Sequence, residues 1–237
     1  MTRLALPKLT LASSLLLHLS LVWPSSSPAQ TQTPLAPAAQ AQPSRKPAGP
    51  ASASPTPESP QLKALRQALT ESAGKVVDRI QAAETELYQK LSYFQKPERL
   101  DPNTFASVDE VQDWEKLLQE LRDKGDRVAS LYANAGKSLD AELTNSKVSA
   151  EIATRFRQMV LDGFPWDTIQ KKNQLFQRYV DAHGQLLAFF EKNWGAWEPG
   201  QPLKFKTARL ASAYRKIKED VVSTGKQLDQ QYKAMAE

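Results

Sequence analysis

The chain has 237 residues, a formal net charge of +5 and no cysteine, which excludes disulfide bonds and cysteine-ligated metal or haem sites. Residues 60–237 contain 27 basic and 25 acidic side chains, so the larger part of the charge excess lies in the N-terminal segment. A region so close to neutral lacks the basic surface that nucleic-acid phosphates select. The composition therefore argues against a nucleic-acid-binding protein.

The N-terminus has the pattern of a secretory signal peptide. Arg3 and Lys8 precede an apolar run over residues 9–22, and small residues stand at the positions that signal peptidase recognises, so that cleavage is expected after Ala29. The run is shorter than the roughly twenty residues that span a bilayer, and an uncleaved membrane anchor is the alternative. We predict a signal peptide over residues 1–29 and export to a periplasmic or extracellular compartment.

Residues 30–59 consist mainly of proline, alanine, serine, threonine and glutamine. Such a segment has too little apolar surface to offset the entropy cost of folding. We predict a disordered linker, which is either a functional spacer or a leader without a role. The folded domain is then expected over residues 60–237.

Two long helices are predicted first. Ser59 and Pro60 suit a helix start, and apolar residues at a mean step near 3.6 continue to Phe94. After a proline-containing connection, Ser107 and Glu110 form a capping box. The second helix is predicted to continue to Leu143, with glycines 125 and 136 as weak points.

A shorter amphipathic helix is predicted over 148–161, ended by Pro165. It is followed by the most regular helix of the chain, whose apolar strip advances by alternating steps of three and four. Counted from Trp166, the strip contains Ile169, Asn173, Phe176, Val180, His183, Leu187, Phe190 and Trp194. A turn at Pro199–Pro202 precedes a last helix that carries apolar residues from Leu210 onward.

The four long helices match in length, so the predicted fold is all-α: an antiparallel four-helix bundle with an extra short helix. The short helix is either a crosspiece or a kinked extension of the third long helix. Six acid and base pairs at a spacing of four, among them Glu86 with Lys90 and Glu120 with Lys124, are expected on solvent-facing sides.

Catalytic and metal sites are not indicated. His183 is the one histidine after the predicted signal peptide, and a ferritin-type site needs a Glu-x-x-His on each of two helices. The Gly-Lys-Ser at 136–138 lacks the second glycine and the preceding strand of a phosphate-binding loop. We therefore predict no enzyme activity and no cofactor.

Two polar residues share the apolar strip. His183 is predicted to be a core imidazole that forms its hydrogen bonds with a neighbouring helix. Asn173 is predicted to fix the register between helices. The alternative is a small apolar ligand or cofactor held in the core near His183 and Asn173, in a cavity lined also by Phe176, Tyr179 and Phe190.

Two surfaces remain as candidates for partner binding. The first is a basic cluster in a stretch without an acidic residue: Lys204, Lys206, Arg209, Arg215, Lys216 and Lys218. This cluster either binds an anionic partner or is balanced by the acidic start of the second helix. The second is a set of aromatic residues at the two ends of the central helix, which either close the bundle or serve as contact anchors: Phe164, Trp166, Trp194 and Trp197. Trp197 is expected to be the most accessible.

These features predict an exported, non-enzymatic helical-bundle protein that binds a macromolecular partner, in an adaptor, scaffold or chaperone-like role. The partner is expected to be a protein, with peripheral contact to anionic lipid as a further alternative. The contact residues are predicted to be the basic cluster together with Trp194 and Trp197, in and beside the loop 193–202.

Overall fold

The computed structural model describes residues 59–200 and 202–236. The predicted signal peptide (1–29) and the predicted linker (30–59), apart from its last residue, lie outside the described residues. The described chain is predominantly helical, which confirms the all-α class. The helices are α1 (Pro60–Phe94), α2 (Val108–Ala133), α3 (Ala135–Asn145), α4 (Ala150–Asp162), α5 (Trp166–Lys192) and α6 (Ala208–Ala236). Two 3-10 helices, Pro97–Leu100 and Pro102–Thr104, connect α1 to α2, and strands β1 (Trp197–Glu198) and β2 (Lys204–Phe205) pair in antiparallel fashion before α6.

Both predicted helix starts are confirmed. The Ser59 hydroxyl accepts a hydrogen bond from the Leu62 amide at 3.2 Å, and the Ser107 hydroxyl accepts one from the Glu110 amide at 3.2 Å. The Glu110 carboxylate accepts from the Ala106 amide rather than from that of Ser107, at 2.7 Å. These bonds satisfy amide groups that the first turn of a helix leaves without partners.

The predicted single helix over 107–143 is divided at Asn134. Its side-chain amide donates to the backbone carbonyl of Ser130 at 2.8 Å, and a side chain that competes for a helical carbonyl in this way weakens the helix. α3 begins at the next residue, Ala135. After α3 the chain reverses at Lys147, which has a φ of 56°.

The contacts between helices give their directions. Arg122 and Gln112 of α2 bond to Asp181 and Glu191 of α5, so α2 and α5 are antiparallel. α1 pairs with α2 and α3, and α5 pairs with α6, also in antiparallel fashion. α4 packs back along α3, with Arg157 and Leu161 near Gly136. α4 is followed after three residues by α5.

The predicted strip of α5 is buried from Ile169 to Phe190, except that Asn173 is half-buried. Its two ends are exposed, since Trp166 retains 41% of its accessible surface and Trp194 retains 36%. A second row of α5 is also buried because the helix lies between α2 and α6: Lys172, Leu175, Tyr179, Ala182, Leu186 and Phe189. α5 is thus the central helix of the core, buried more broadly than a single strip predicts.

Two of the predicted pairs within helices form between helices instead. Lys90 of α1 pairs with Glu120 of α2, and Glu86 of α1 pairs with Lys124 of α2 at 3.0 Å. Such partly exposed pairs contribute less than about 1 kcal/mol each, but they record the register of α1 against α2. None of the described helices combines the length and the apolar composition that a bilayer-spanning helix requires.

Candidate partner-binding site

The six predicted basic residues form what we call the α6 basic face. Lys204 lies in β2, Lys206 follows that strand, and Arg209, Arg215, Lys216 and Lys218 lie in the N-terminal half of α6. All six are exposed except Lys218, which is half-buried with its ammonium group 5.5 Å from the centre of the Tyr214 ring. Within the described part of the chain, none of the six forms an ion pair with a carboxylate.

The acidic start of α2 does not form ion pairs with this face. Asp113 pairs with Lys116 of its own helix at 2.8 Å, and Glu110 is used in the cap of α2. Burial and then the neighbouring charge of Glu191 raise the pKa of Glu115. A nearby cation would lower the pKa of this carboxyl group instead. Direct contact with this acidic cluster therefore does not balance the α6 basic face.

A concave surface runs along α6 beside β2, and we call it the α6 groove. It is lined by Leu203, Phe205, Ala211, Tyr214, Arg215, Lys218, Glu219, Val222, Ser223 and Lys226. Two members of the basic face, Arg215 and Lys218, thus lie together with Lys226, which the sequence analysis did not select. Arg209 and Lys216 lie outside the groove because successive residues of a helix point about 100° apart. Lys204 and Lys206 lie in and after β2, outside the helix, and do not line the groove.

Charge is concentrated in this part of the molecule. Residues 204–226 contain seven basic and two acidic side chains, whereas all of 60–237 contain 27 basic and 25 acidic side chains. The remainder of residues 60–237 is therefore net acidic. An anionic partner therefore meets at α6 a local excess of positive charge that the remainder of residues 60–237 lacks.

Within the described residues 193–200, Trp197 is not the accessible aromatic residue. Trp197 retains only 8% of its surface, since it pairs with Phe205 in the strand ladder and packs on the ring of Phe190. The expectation that Trp197 is the most accessible aromatic residue is wrong. Trp194, in contact with Trp197 at a ring distance of 5.3 Å, is the more accessible of the two.

His183 is a core residue, as predicted, but its hydrogen-bonding needs are not met. It retains 2% of its surface, and its ring packs against those of Tyr179 and Phe94 at 4.6 and 5.5 Å. Its Nε2 atom has no hydrogen-bond partner among the described residues. Burial lowers the pKa of His183 to about 4, so at neutral pH the imidazole is uncharged.

Asn173 and His183 lie in different surroundings. Asn173 lines an open groove between α2 and α5, together with Tyr132, Trp166 and Ile169; His183 is not part of it. The Asn173 side chain forms no hydrogen bond with any other described residue, so the structure shows no bond of the kind by which a buried asparagine fixes register. Phe176, Tyr179 and Phe190, the other predicted cavity residues, are buried core residues.

The core contains a charged cluster that was not predicted from the sequence. Glu84 of α1 and Lys172 of α5 retain 4% and 1% of their surface and form a buried ion pair. The Tyr132 hydroxyl donates to the same Glu84 carboxylate at 2.9 Å, and the Lys172 ammonium lies 5.2 and 5.8 Å from the ring centres of Tyr132 and Tyr232. This cluster joins α1, α2, α5 and α6.

Spacing in the sequence does signal this cluster. Glu84 falls on the row of Ile80, Leu87 and Leu91, and Lys172 falls three residues before Leu175 and seven before Tyr179. A charged residue on each of two apolar rows indicates a buried pair, because a lone buried charge is very costly. Burial, followed by the charge of Glu84, raises the pKa of Tyr132 and of Tyr232 far above the usual value, so both phenols remain protonated.

Among the residues that the structure describes, no three histidine, cysteine or carboxylate side chains are grouped closely enough to hold a metal ion. Comparison of the chain with protein-family models, with curated proteins and with solved structures finds no match.

Proposed function

We propose that the chain is an exported, non-enzymatic helical-bundle protein that binds a macromolecular partner, in an adaptor, scaffold or chaperone-like role, through the α6 basic face and the adjoining strand pair. The observation that carries this proposal is the set of exposed cations that make no ion pair with any described carboxylate. Lys206 and Arg209, which flank the start of α6, oppose its dipole, and the six cations repel one another. A surface of this kind lowers its electrostatic energy when it meets an anionic partner.

The architecture proposed for this function is an antiparallel four-helix bundle. Its four rods are α1, α2 with α3, α4 with α5, and α6. The contacts of α1 with α2, α2 with α5 and α5 with α6 support this arrangement. A rigid bundle suits a binding role because it presents α6 as a fixed surface, with its inner side anchored by Tyr214, Val221 and Leu228.

Export and the spacer role are proposed from the sequence. The signal pattern over 1–29 supports secretion, and the proline-rich composition over 30–59 supports a spacer between the bundle and a membrane or wall. The alternative function, binding of a small apolar ligand near His183 and Asn173, has weaker support. His183 is enclosed by aromatic rings, whereas Asn173 lines an open groove.

Capture of partners by the full chain tests the proposal. The tagged protein is incubated with secreted or envelope extract of the cells that produce it, and bound proteins are identified by mass spectrometry. We expect a specific partner to be retained by the wild type and lost with K204Q/K206Q/R209Q combined with R215Q/K218Q.

A matched variant controls for loss of net charge. K63Q/K137Q/K147Q/K171Q/K192Q removes five exposed lysines outside the basic face, and it should retain the partner. Equal capture by the wild type and the basic-face variant would contradict the proposal.

A further inference from the structure

The α6 groove has the dimensions of a docking site for a rod. Its helical lining extends from Ala211 to Lys226, which corresponds to about 22 Å, or about four turns. Ala211, Arg215, Lys218, Val222 and Lys226 follow one another at steps of four, three, four and four, so they form one row along α6. A second helix packs along such a row at a distance of about 8–10 Å between the axes.

The lining of the groove combines apolar and basic side chains. Leu203 and Phe205 are half-buried, and Val222 retains 36% of its surface although it is a large apolar residue. Arg215, Lys218 and Lys226 stand beside them, and Glu219 is the one carboxylate of the described lining. A matching ligand presents apolar side chains to Leu203, Phe205 and Val222. It presents acidic side chains to the three cations.

From this match we infer that the α6 groove binds an acidic amphipathic helix of a partner protein. The inference rests on the proposed function and specifies its partner. Helix-in-groove recognition of this kind takes its affinity from apolar anchors at steps of three and four, and its specificity from charge.

The groove does not suit the alternative of an anionic lipid surface. The cations are spread around α6, since Arg209 and Lys216 are seven residues apart and share a side that Lys218 does not. Glu219 and Asp220 are exposed beside them and would be repelled by anionic headgroups.

The test measures binding of the full chain to a labelled synthetic peptide by fluorescence anisotropy. The peptide is an amphipathic helix of about 18 residues, with leucines on one side and glutamates flanking them, and the matched peptide has glutamine at each glutamate. We expect the acidic peptide to bind at least tenfold more tightly than the glutamine peptide, and its affinity to fall as salt is raised.

Variants of the protein then assign the site. R215Q/K218Q/K226Q should weaken binding of the acidic peptide at least tenfold, and V222S should weaken it severalfold at unchanged helix content, whereas K63Q/K137Q/K171Q should bind as the wild type does. Equal affinity for the two peptides, or no effect of the groove variants, would overturn the inference.

Two arms separate the possible failures. Phosphatidylglycerol and phosphatidylcholine vesicles are tested in place of the peptide, and vesicle binding without peptide binding would replace the inferred helix by a lipid surface. If the peptide fails while the basic-face variant still loses its partner in the capture experiment, the inferred partner class is wrong and the proposed function stands. If both fail, the proposed function is wrong as well.

Discussion

Substitution of Lys172 by methionine tests the buried charged cluster. Methionine keeps the length of the side chain but removes the ammonium, and it leaves the Glu84 carboxylate 4% exposed with the Tyr132 hydroxyl as its remaining described donor. Breaking a buried ion pair by removing one partner costs about 3–5 kcal/mol. This cost is a large share of the free energy of unfolding of a typical protein, which is roughly 5–15 kcal/mol.

Urea unfolding followed by far-ultraviolet circular dichroism measures this cost. With a slope near 2 kcal/mol per M, the K172M midpoint should fall by about 2 M at unchanged slope. The double variant E84M/K172M should recover to within about 2 kcal/mol of the wild type, because it leaves no unpaired charge and only the Tyr132 hydroxyl without its acceptor.

An exposed ion pair provides the control. Arg155 and Glu151 are 2.7 Å apart with side chains 80% and 75% exposed, so R155M should cost less than about 1 kcal/mol. The account of the cluster would be refuted if K172M were within 1 kcal/mol of the wild type, or if the double variant were as unstable as K172M.

Further predictions concern pH and two glycines. The pKa of His183 is about 4 in the folded chain, whereas its ordinary value is 6.5. As the pH falls, the unfolded chain therefore binds a proton at this residue before the folded chain does. Between pH 6.5 and 4 this difference should lower the free energy of unfolding by up to about 3 kcal/mol. H183L should abolish that part of the pH dependence in urea titrations, and identical pH profiles would contradict it. A Cβ at Gly125 would overlap the Phe176 ring, whereas one at Gly74 meets no atom within 4 Å. G125A should therefore lower the free energy of unfolding by about 1–3 kcal/mol, and G74A should raise it by up to about 1 kcal/mol; the reverse order in denaturant midpoints would show the packing at Gly125 to be wrong.

Local signals in the sequence predict the helices well. A capping serine or a proline reports on a few neighbouring residues, so the starts at Ser59 and Ser107 follow from the sequence directly. The break at Asn134 depends on its side chain donating to a backbone carbonyl rather than to solvent. The spacing of apolar residues does not predict this hydrogen bond. The sequence also does not decide between a break and a continuous turn at 145–146; in the structure α3 ends at Asn145 and the chain reverses at Lys147.

Features that depend on several helices are harder to predict. The burial of Trp197 arises from its pairing with Phe205 across a turn, and the ion pairs of Glu86 and Lys90 with α2 arise from the register of two helices. The basic cluster was found from the sequence, but its division between the α6 groove and the other sides of α6 follows from helix geometry. Lys226 joins the groove from eight positions beyond Lys218, outside the stretch that composition marks.

The most direct test of the account is site-specific photo-crosslinking in the cells that produce the protein. A benzophenone amino acid is placed at Val222, in the α6 groove, or at Met159 on α4; both positions are exposed, at 36% and 43%. The account predicts an ultraviolet-dependent adduct of one mass from position 222 that disappears with R215Q/K218Q, and no such adduct from position 159. The absence of an adduct at position 222, or the same adduct from both positions, would contradict it.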